Sequence, residues 1–113
     1  MSSVFTKIID REIPATVVAE DDRVIAIEDI APKAPVHVVV IPKTEEYANV
    51  AELAAGDPDL LAHVVATAQR IADERAGGQF RLVFNTGEAA GQTVFHVHAH
   101  VLAGDLQEGN IAS

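Results

Sequence analysis

Gly91-Gln92-Thr93-Val94-Phe95-His96-Val97-His98-Ala99-His100-Val101-Leu102 is the stretch from which the rest of the chain can be read. Its alternation predicts a strand over residues 93–102. Successive side chains of a strand point to opposite faces, so Phe95, Val97, Ala99 and Val101 share the face that must meet the core. Val94, His96, His98, His100 and Leu102 share the other, which lines up three imidazoles roughly 6–7 Å apart at Cα. A single histidine here would be an ordinary surface or hydrogen-bonded side chain. Three at period two are not explained by strand propensity, which valine would serve better.

Working outward, Phe80 to Asn85 has β character and is joined to the histidine strand by a glycine-containing loop, residues 86–92. Val36 to Ile41 is almost wholly β-branched and apolar, with His37 the one polar intrusion before Pro42 ends the run. Ahead of it, Ala31-Pro32-Lys33-Ala34-Pro35 is a rigid connector, because two prolines remove two amide donors. Thr16 to Glu20 and Arg23 to Ile30 read as a hairpin around Asp21-Asp22, with Ile25, Ile27 and Asp29 on one face.

The region from Asp57 to Glu74 is predicted to hold the one long helix. Leu60, Leu61, Val64, Val65, Ala68, Ile71 and Ala72 recur at helical spacing, while His63 and Thr67 are turned away. Asp57 supplies the N-cap, Pro58 the first helical position, and Gly77-Gly78 the left-handed stop. A short helix capped by Ser2 or Ser3 carries Phe5, Ile8 and Ile9, and Ile13-Pro14 bars its continuation. The order α, β, β, β, α, β, β implies an α+β fold. Its antiparallel sheet has about five strands, covered by one short N-terminal helix and one long helix.

With 113 residues and 49% hydrophobic content, the chain is read as a single domain over residues 1–113. A core this small, with no disulfide, favours association, so a homodimer is expected. The absence of cysteine rules out thiolate zinc sites and cysteine nucleophiles. The first ten residues show neither a basic n-region nor a long apolar run, and no stretch approaches the roughly 20 apolar residues of a membrane span. A cytoplasmic protein without a membrane partner is therefore expected. A formal charge of −9 with scattered cations argues against a nucleic-acid polymer but leaves room for a mononucleotide in a local pocket.

The histidine strand admits two chemistries. A His-x-His pair can place two ring nitrogens on one zinc at about 2.0–2.1 Å, but His96 and His100 would lie roughly 13 Å apart at Cα, so further ligands would have to come from His37 or a carboxylate. Alternatively, one neutral imidazole attacks as a nucleophile while its neighbours fix its tautomer and orientation, an arrangement that suits a linear array.

The segment 91–102 resembles the signature of the histidine triad family, His-φ-His-φ-His-φ-φ with φ apolar. Supporting matches are Phe5-Thr6-Lys7-Ile8-Ile9, Glu12-Ile13-Pro14, Glu20-Asp21-Asp22, Asp29-Ile30-Ala31-Pro32 and His37-Val38-Val39-Val40-Ile41-Pro42-Lys43, which point to the Hint branch. The resemblance implies a homodimeric α+β domain that hydrolyses purine nucleoside 5′-phosphoramidates without metal or other cofactor. His98 becomes the nucleophile, His100 and His37 support its orientation and protonation, and His96 is structural. Asp29 would accept from the ribose hydroxyls, and Phe5, Ile8, Ile27 and Ile30 would form the base pocket. Asn85 and Thr93 would contact the phosphate or leaving group, and the main-chain amides around Gly91 and Gln92 would approach the phosphate.

Three features depart from the familiar pattern. Glu28 replaces a neutral residue or histidine beside the ribose-binding acid. Thr93 stands for serine and keeps the hydroxyl. The tail from Gly104 to Ser113 lacks the Trp-Pro ending of animal relatives. The alternatives are a dinucleoside polyphosphate hydrolase, a metal-dependent enzyme built on the HxHxH strand, and a nucleotide-binding module without turnover.

Overall fold

A computed structural model describes residues 3–108, so Ser2 and the last five residues of the divergent tail lie outside the described residues. The sheet consists of β1 (Val17–Glu20), β2 (Val24–Glu28), β3 (Val36–Pro42), β4 (Arg81–Val83) and β5 (Ala99–Ala103). The helices are α1 (Val4–Ile9), α2 (Val50–Gly56) and α3 (Pro58–Ala76). All strand pairings are antiparallel, and the order across the sheet is β1-β2-β3-β5-β4.

The alternation of each strand divides the apolar residues between two layers. Val24, Ala26, Val38, Val40, Ala99 and Val101 face the α2/α3 side, where Leu53, Leu60, Val64, Ala68 and Ile71 meet them. Ile25, Ile27, Val39 and Ile41 face the opposite side and pack on Ile8 of α1. Neither face of the central strands is open to water over these residues, which explains their near-continuous Val/Ile composition.

The helix ends follow the residues that read as caps. Ser3 caps α1, its Oγ accepting from the Thr6 amide at 3.0 Å. Asp57 caps α3 by accepting from the Leu60 amide at 3.1 Å, Pro58 opens the helix, and Gly77 ends it at φ 61°. In the hairpin, Asp21 Oδ1 accepts from the amides of Arg23 at 2.8 Å and Val24 at 2.9 Å. His63, to which the sequence assigned no partner, lies with Nε2 2.7 Å from Asp21 Oδ2 and ties α3 to this turn. Burial would raise the Asp21 carboxyl, but the two amides and His63 outweigh it and hold the group down at about 2.

Several elements differ from the sequence reading. A second helix, α2, precedes the long one. Asn49 caps it through the Glu52 amide at 2.9 Å, and Glu52 returns a contact to the Ala48 amide at 3.0 Å. It buries only Leu53, so it leaves no apolar period to detect. On α3, Val65 is exposed and Thr67 buried, the latter donating its hydroxyl to the His63 carbonyl at 2.8 Å.

The largest difference concerns the histidine strand. Regular pairing begins only at Ala99; residues 94–96 form a bend and residues 97–98 run on without regular structure, all of them off the ladder. Val97 still reaches the core, whereas Phe95 is 52% exposed. Alternation alone could not distinguish an extended segment with ladder partners from one without them.

Replacing Asp57 with alanine removes the α3 cap and should lower stability by about 1 kcal/mol. Urea unfolding of the variant, with an unchanged slope, is the measurement that checks it.

Candidate active site

The antiparallel register gathers residues distant in sequence onto the α1 side of the sheet. His37 pairs with Leu102 and Val39 with His100, so the two histidines are diagonal neighbours on one face. Asp29 follows β2, and its amide donates to the His37 carbonyl at 3.0 Å, which brings the carboxylate beside the pair. Asp29 Oδ1 accepts from the Ala31 amide at 2.8 Å, and Oδ2 lies 3.4 Å from His37 Nε2. Glu28, one residue earlier, points to the opposite face and pairs with Arg75 of α3 at 3.4 Å. It therefore does not share the Asp29 site.

Backbone groups decide which nitrogen of each ring carries the proton. The Lys33 amide donates to His37 Nδ1 at 3.0 Å, so in the neutral ring the proton is on Nε2. His37 Nε2 lies 2.9 Å from His100 Nδ1, which accepts that proton's hydrogen bond and leaves the His100 proton on Nε2. His98 Nδ1 lies 2.8 Å from the His96 carbonyl, an obligate acceptor, so Nδ1 is protonated and Nε2 keeps its lone pair. His96 is 1% exposed and donates from Nε2 to the Pro42 carbonyl at 2.6 Å.

Burial is the main cause that lowers the basicity of the three rings nearest the cleft. It pushes His98 below the ordinary histidine value against the opposing pull of the His96 carbonyl. His37 is likewise lowered by burial, with the Asp29 carboxylate opposing. His100 falls to about 4, through burial first and then the neighbouring rings of His98 and His37. The result is a set of neutral imidazoles at neutral pH, one of which offers an unprotonated nitrogen.

A cavity of 430 Å³ opens beside His37 and His100, with Asp29, Lys33, Asn85 and Gly91 also among its walls; His98 lies next to it through its ring contact with His100, 5.2 Å between centroids. Phe5 of α1 meets the His98 ring edge-on at 4.8 Å between centroids. Ile8 and Ile27 lie in the apolar layer that Phe5 extends, but Ile30 is fully exposed and outside that cluster.

The loop before the histidines is engaged internally. The Gly91 amide donates to the Glu88 carbonyl at 3.0 Å and the Gln92 amide to the Gly87 carbonyl at 3.0 Å. The buried Gln92 side chain accepts from the Gly87 amide at 2.9 Å and donates to the carbonyls of Ala48 at 2.6 Å and Val94 at 3.1 Å. These groups brace the loop instead of presenting donors to a ligand. Asn85 and the exposed Thr93 form no side-chain hydrogen bond among the described residues, so their polar groups are available. The Lys33 amide and the Pro42 carbonyl are further determinants of the site. They escape sequence reading because every residue carries such groups and only the fold selects them.

Asp29, His37 and His100 also bring one potential ligand atom each within 4.8 Å of one another. A metal on His37 Nε2 would require that nitrogen's lone pair, and hence a proton on Nδ1 facing the Lys33 amide, donor against donor. The hydrogen-bonded relay suits this arrangement better than coordination.

The family described as Scavenger mRNA decapping enzyme C-term binding matches residues 2–112. A HIT family hydrolase from Clostridium thermocellum is 48% identical, with TM-score 0.87 and 94% of each chain covered. A second HIT family hydrolase, from Legionella pneumophila, is 38% identical, with TM-score 0.90 and 97% of this chain and 99% of that one covered. The Arabidopsis thaliana adenylylsulfatase HINT1 is 38% identical over 104 residues, covering 90% of this chain and 71% of that protein. With the fold and the HxHxH segment in place, the chain belongs to the histidine triad family.

The depressed rings set a pH dependence of stability. His100 titrates near 4 when folded and near about 6.5 when unfolded, so between these values the unfolded chain binds more protons. Stability should fall as pH drops from about 6.5 towards 4, with His98 and His37 acting in the same direction. Ring NMR should place the His100 titration near 4. A urea midpoint constant across that window would contradict this origin.

Proposed function

We propose that the protein hydrolyses purine nucleoside 5′-phosphoramidates to a nucleoside monophosphate and an amine through a covalent nucleotidyl-histidine at His98. The observation that carries this reading is the His98 tautomer: Nδ1 is committed to the His96 carbonyl at 2.8 Å, which leaves the lone pair on Nε2. A neutral nitrogen of this kind is competent to attack phosphorus. The hydrogen bond at Nδ1 then stabilises the positive charge that the ring acquires.

In the first half-reaction, a bond forms between His98 Nε2 and the α-phosphorus, the substrate P–N bond breaks, and the amine leaves with a proton taken up from solvent. In the second, water attacks phosphorus, the bond to Nε2 breaks, a proton of the attacking water returns to solvent, and the monophosphate departs with His98 restored, so that one water is consumed overall. His100, with its proton on Nε2, would donate to a phosphate oxygen as charge builds up, and His37 holds His100 in that tautomer. Asn85 and Thr93 are further donors for the phosphate or leaving group.

Asp29 stands at the cavity wall where ribose hydroxyls would donate to it, and Phe5, Ile8 and Ile27 would form the apolar surface for the base. No metal or organic cofactor takes part. The same reading has the enzyme act as a homodimer in the cytoplasm. Among the described residues, no helix is long and apolar enough to cross a membrane.

A second reading keeps the chemistry and changes the leaving group. The Arabidopsis relative is named an adenylylsulfatase, and attack at the same phosphorus would expel sulfate from adenylyl sulfate as it expels an amine from a phosphoramidate.

Both readings are tested by incubating wild type and His98→Ala with adenosine 5′-phosphoramidate and, separately, adenylyl sulfate, each with and without EDTA. Turnover of the phosphoramidate should survive EDTA and fall by roughly three orders of magnitude or more in His98→Ala. Acid quenching followed by mass spectrometry should find adenylyl on His98. Folded wild type that releases no adenosine monophosphate from the phosphoramidate would sink the first reading. Turnover of adenylyl sulfate alone would establish the second.

A further inference from the structure

His96 lies in the bend at residues 94–96 and His98 in the irregular stretch that follows, where no β-ladder holds the main chain. Beside its ring contacts with Phe5 and His100, the hydrogen bonding of His98 therefore depends on one acceptor, the His96 carbonyl, and on whatever immobilises it. Two anchors do so. The Val97 amide donates to the Tyr47 carbonyl at 2.9 Å, and the His96 ring is held at both nitrogens. One of these, Nε2, donates to the Pro42 carbonyl, so the neutral ring presents Nδ1 as an acceptor that needs a donor in a buried place. The hydroxyl of Ser3 lies 2.7 Å from Nδ1.

Ser3 has a second engagement. As the N-cap of α1, its Oγ accepts from the Thr6 amide at 3.0 Å, while its own amide donates to Glu45 Oε1 at 2.9 Å. The helix that it caps carries Phe5, whose ring meets His98 at 4.8 Å and His96 at 5.9 Å between centroids. A single hydroxyl thus accepts from the first turn of α1 and, lying nearer to His96 Nδ1 at 2.7 Å than to Thr6 Oγ1 at 3.3 Å, donates its one proton to the His96 ring. Both ends of that connection touch the ring of His98, through Phe5 on one side and through the His96 carbonyl on the other.

We propose that Ser3 is a positioning residue for the nucleophile: its hydroxyl donates to His96 Nδ1 and couples the seating of α1 to the orientation of His98. The consequence for turnover rests on the reading of His98 as nucleophile. The consequence for the rings does not.

Three substitutions in the full chain separate capping from donation. Ser3→Thr keeps a cap and a donor. Ser3→Asp keeps a strong cap but brings only acceptor oxygens to Nδ1, and Ser3→Ala keeps neither. With adenosine 5′-phosphoramidate, kcat should fall about tenfold in Ser3→Asp and Ser3→Ala and return to within about twofold of wild type in Ser3→Thr. The thermal midpoint should drop in Ser3→Ala and hold in Ser3→Asp.

Nitrogen-15 NMR of the imidazoles supplies a readout free of turnover. In wild type and Ser3→Thr, His96 should be a neutral ring protonated at Nε2, and His98 a single tautomer protonated at Nδ1. In Ser3→Asp, His96 should become doubly protonated. In Ser3→Ala, His98 should show mixed tautomers. Should wild type fail to turn over the phosphoramidate, the assignment of function falls and the NMR still decides the positioning role. That role is overturned if wild-type His96 is already doubly protonated, or if Ser3→Asp keeps wild-type rings.

Discussion

A backbone carbonyl can only accept a hydrogen bond and a backbone amide can only donate one, and the active-site histidines are arranged around that asymmetry. The His96 carbonyl dictates the proton on His98, the Pro42 carbonyl dictates the proton on His96, and the Lys33 amide dictates its place on His37. The role of His100 follows from His37 at one remove. No side-chain charge is needed to choose among tautomers, because main-chain groups set the donor and acceptor faces of the rings, directly or through His37. Preorganisation of this kind is achieved during folding and not at the moment of reaction.

Neutrality is itself a product of packing. The sheet has an apolar layer on each face, and the one under α1 also carries the histidines. Burial there disfavours the imidazolium form of His37, His98 and His100 more than the Asp29 carboxylate favours it. The opposite face is filled by α2 and α3 and carries none of His37, His98 and His100. Glu28 belongs to that second face: alternation along β2 separates it from Asp29, and Arg75 receives it.

Alternation along β3 and β5 made much of this site legible before any coordinates. It placed Val97, Ala99 and Val101 against the core and His100 on the other side, and it marked His37 as a polar residue in need of a reason. Capping chemistry located the ends of α3, because Asp57 and Pro58 act within the first turn and Gly77 acts through its own left-handed backbone, its amide reaching the Ala72 carbonyl. The same local rules failed for α2, which buries one side chain and so has no period. They failed again at residues 94–98, where an extended pattern persists after the ladder has ended. For Gly91 and Gln92, the family resemblance implied amides close to a phosphate, whereas the turn from Gly87 to Gln92 engages both.

The residue types along 91–102 determined the family, the candidate nucleophile and the face on which His100 lies, since these depend on identity and on the two-residue period of extended chain. Only the tertiary structure decided which nitrogen of each ring is free and that His37 and Asp29 adjoin His100. It also assigned the second hydrogen bond of His96 to Ser3. Those outcomes rest on strand register and on contacts between residues as far apart as Ser3 and His96. No local rule encodes them, because the groups involved, carbonyls and amides above all, are common to every position in the chain.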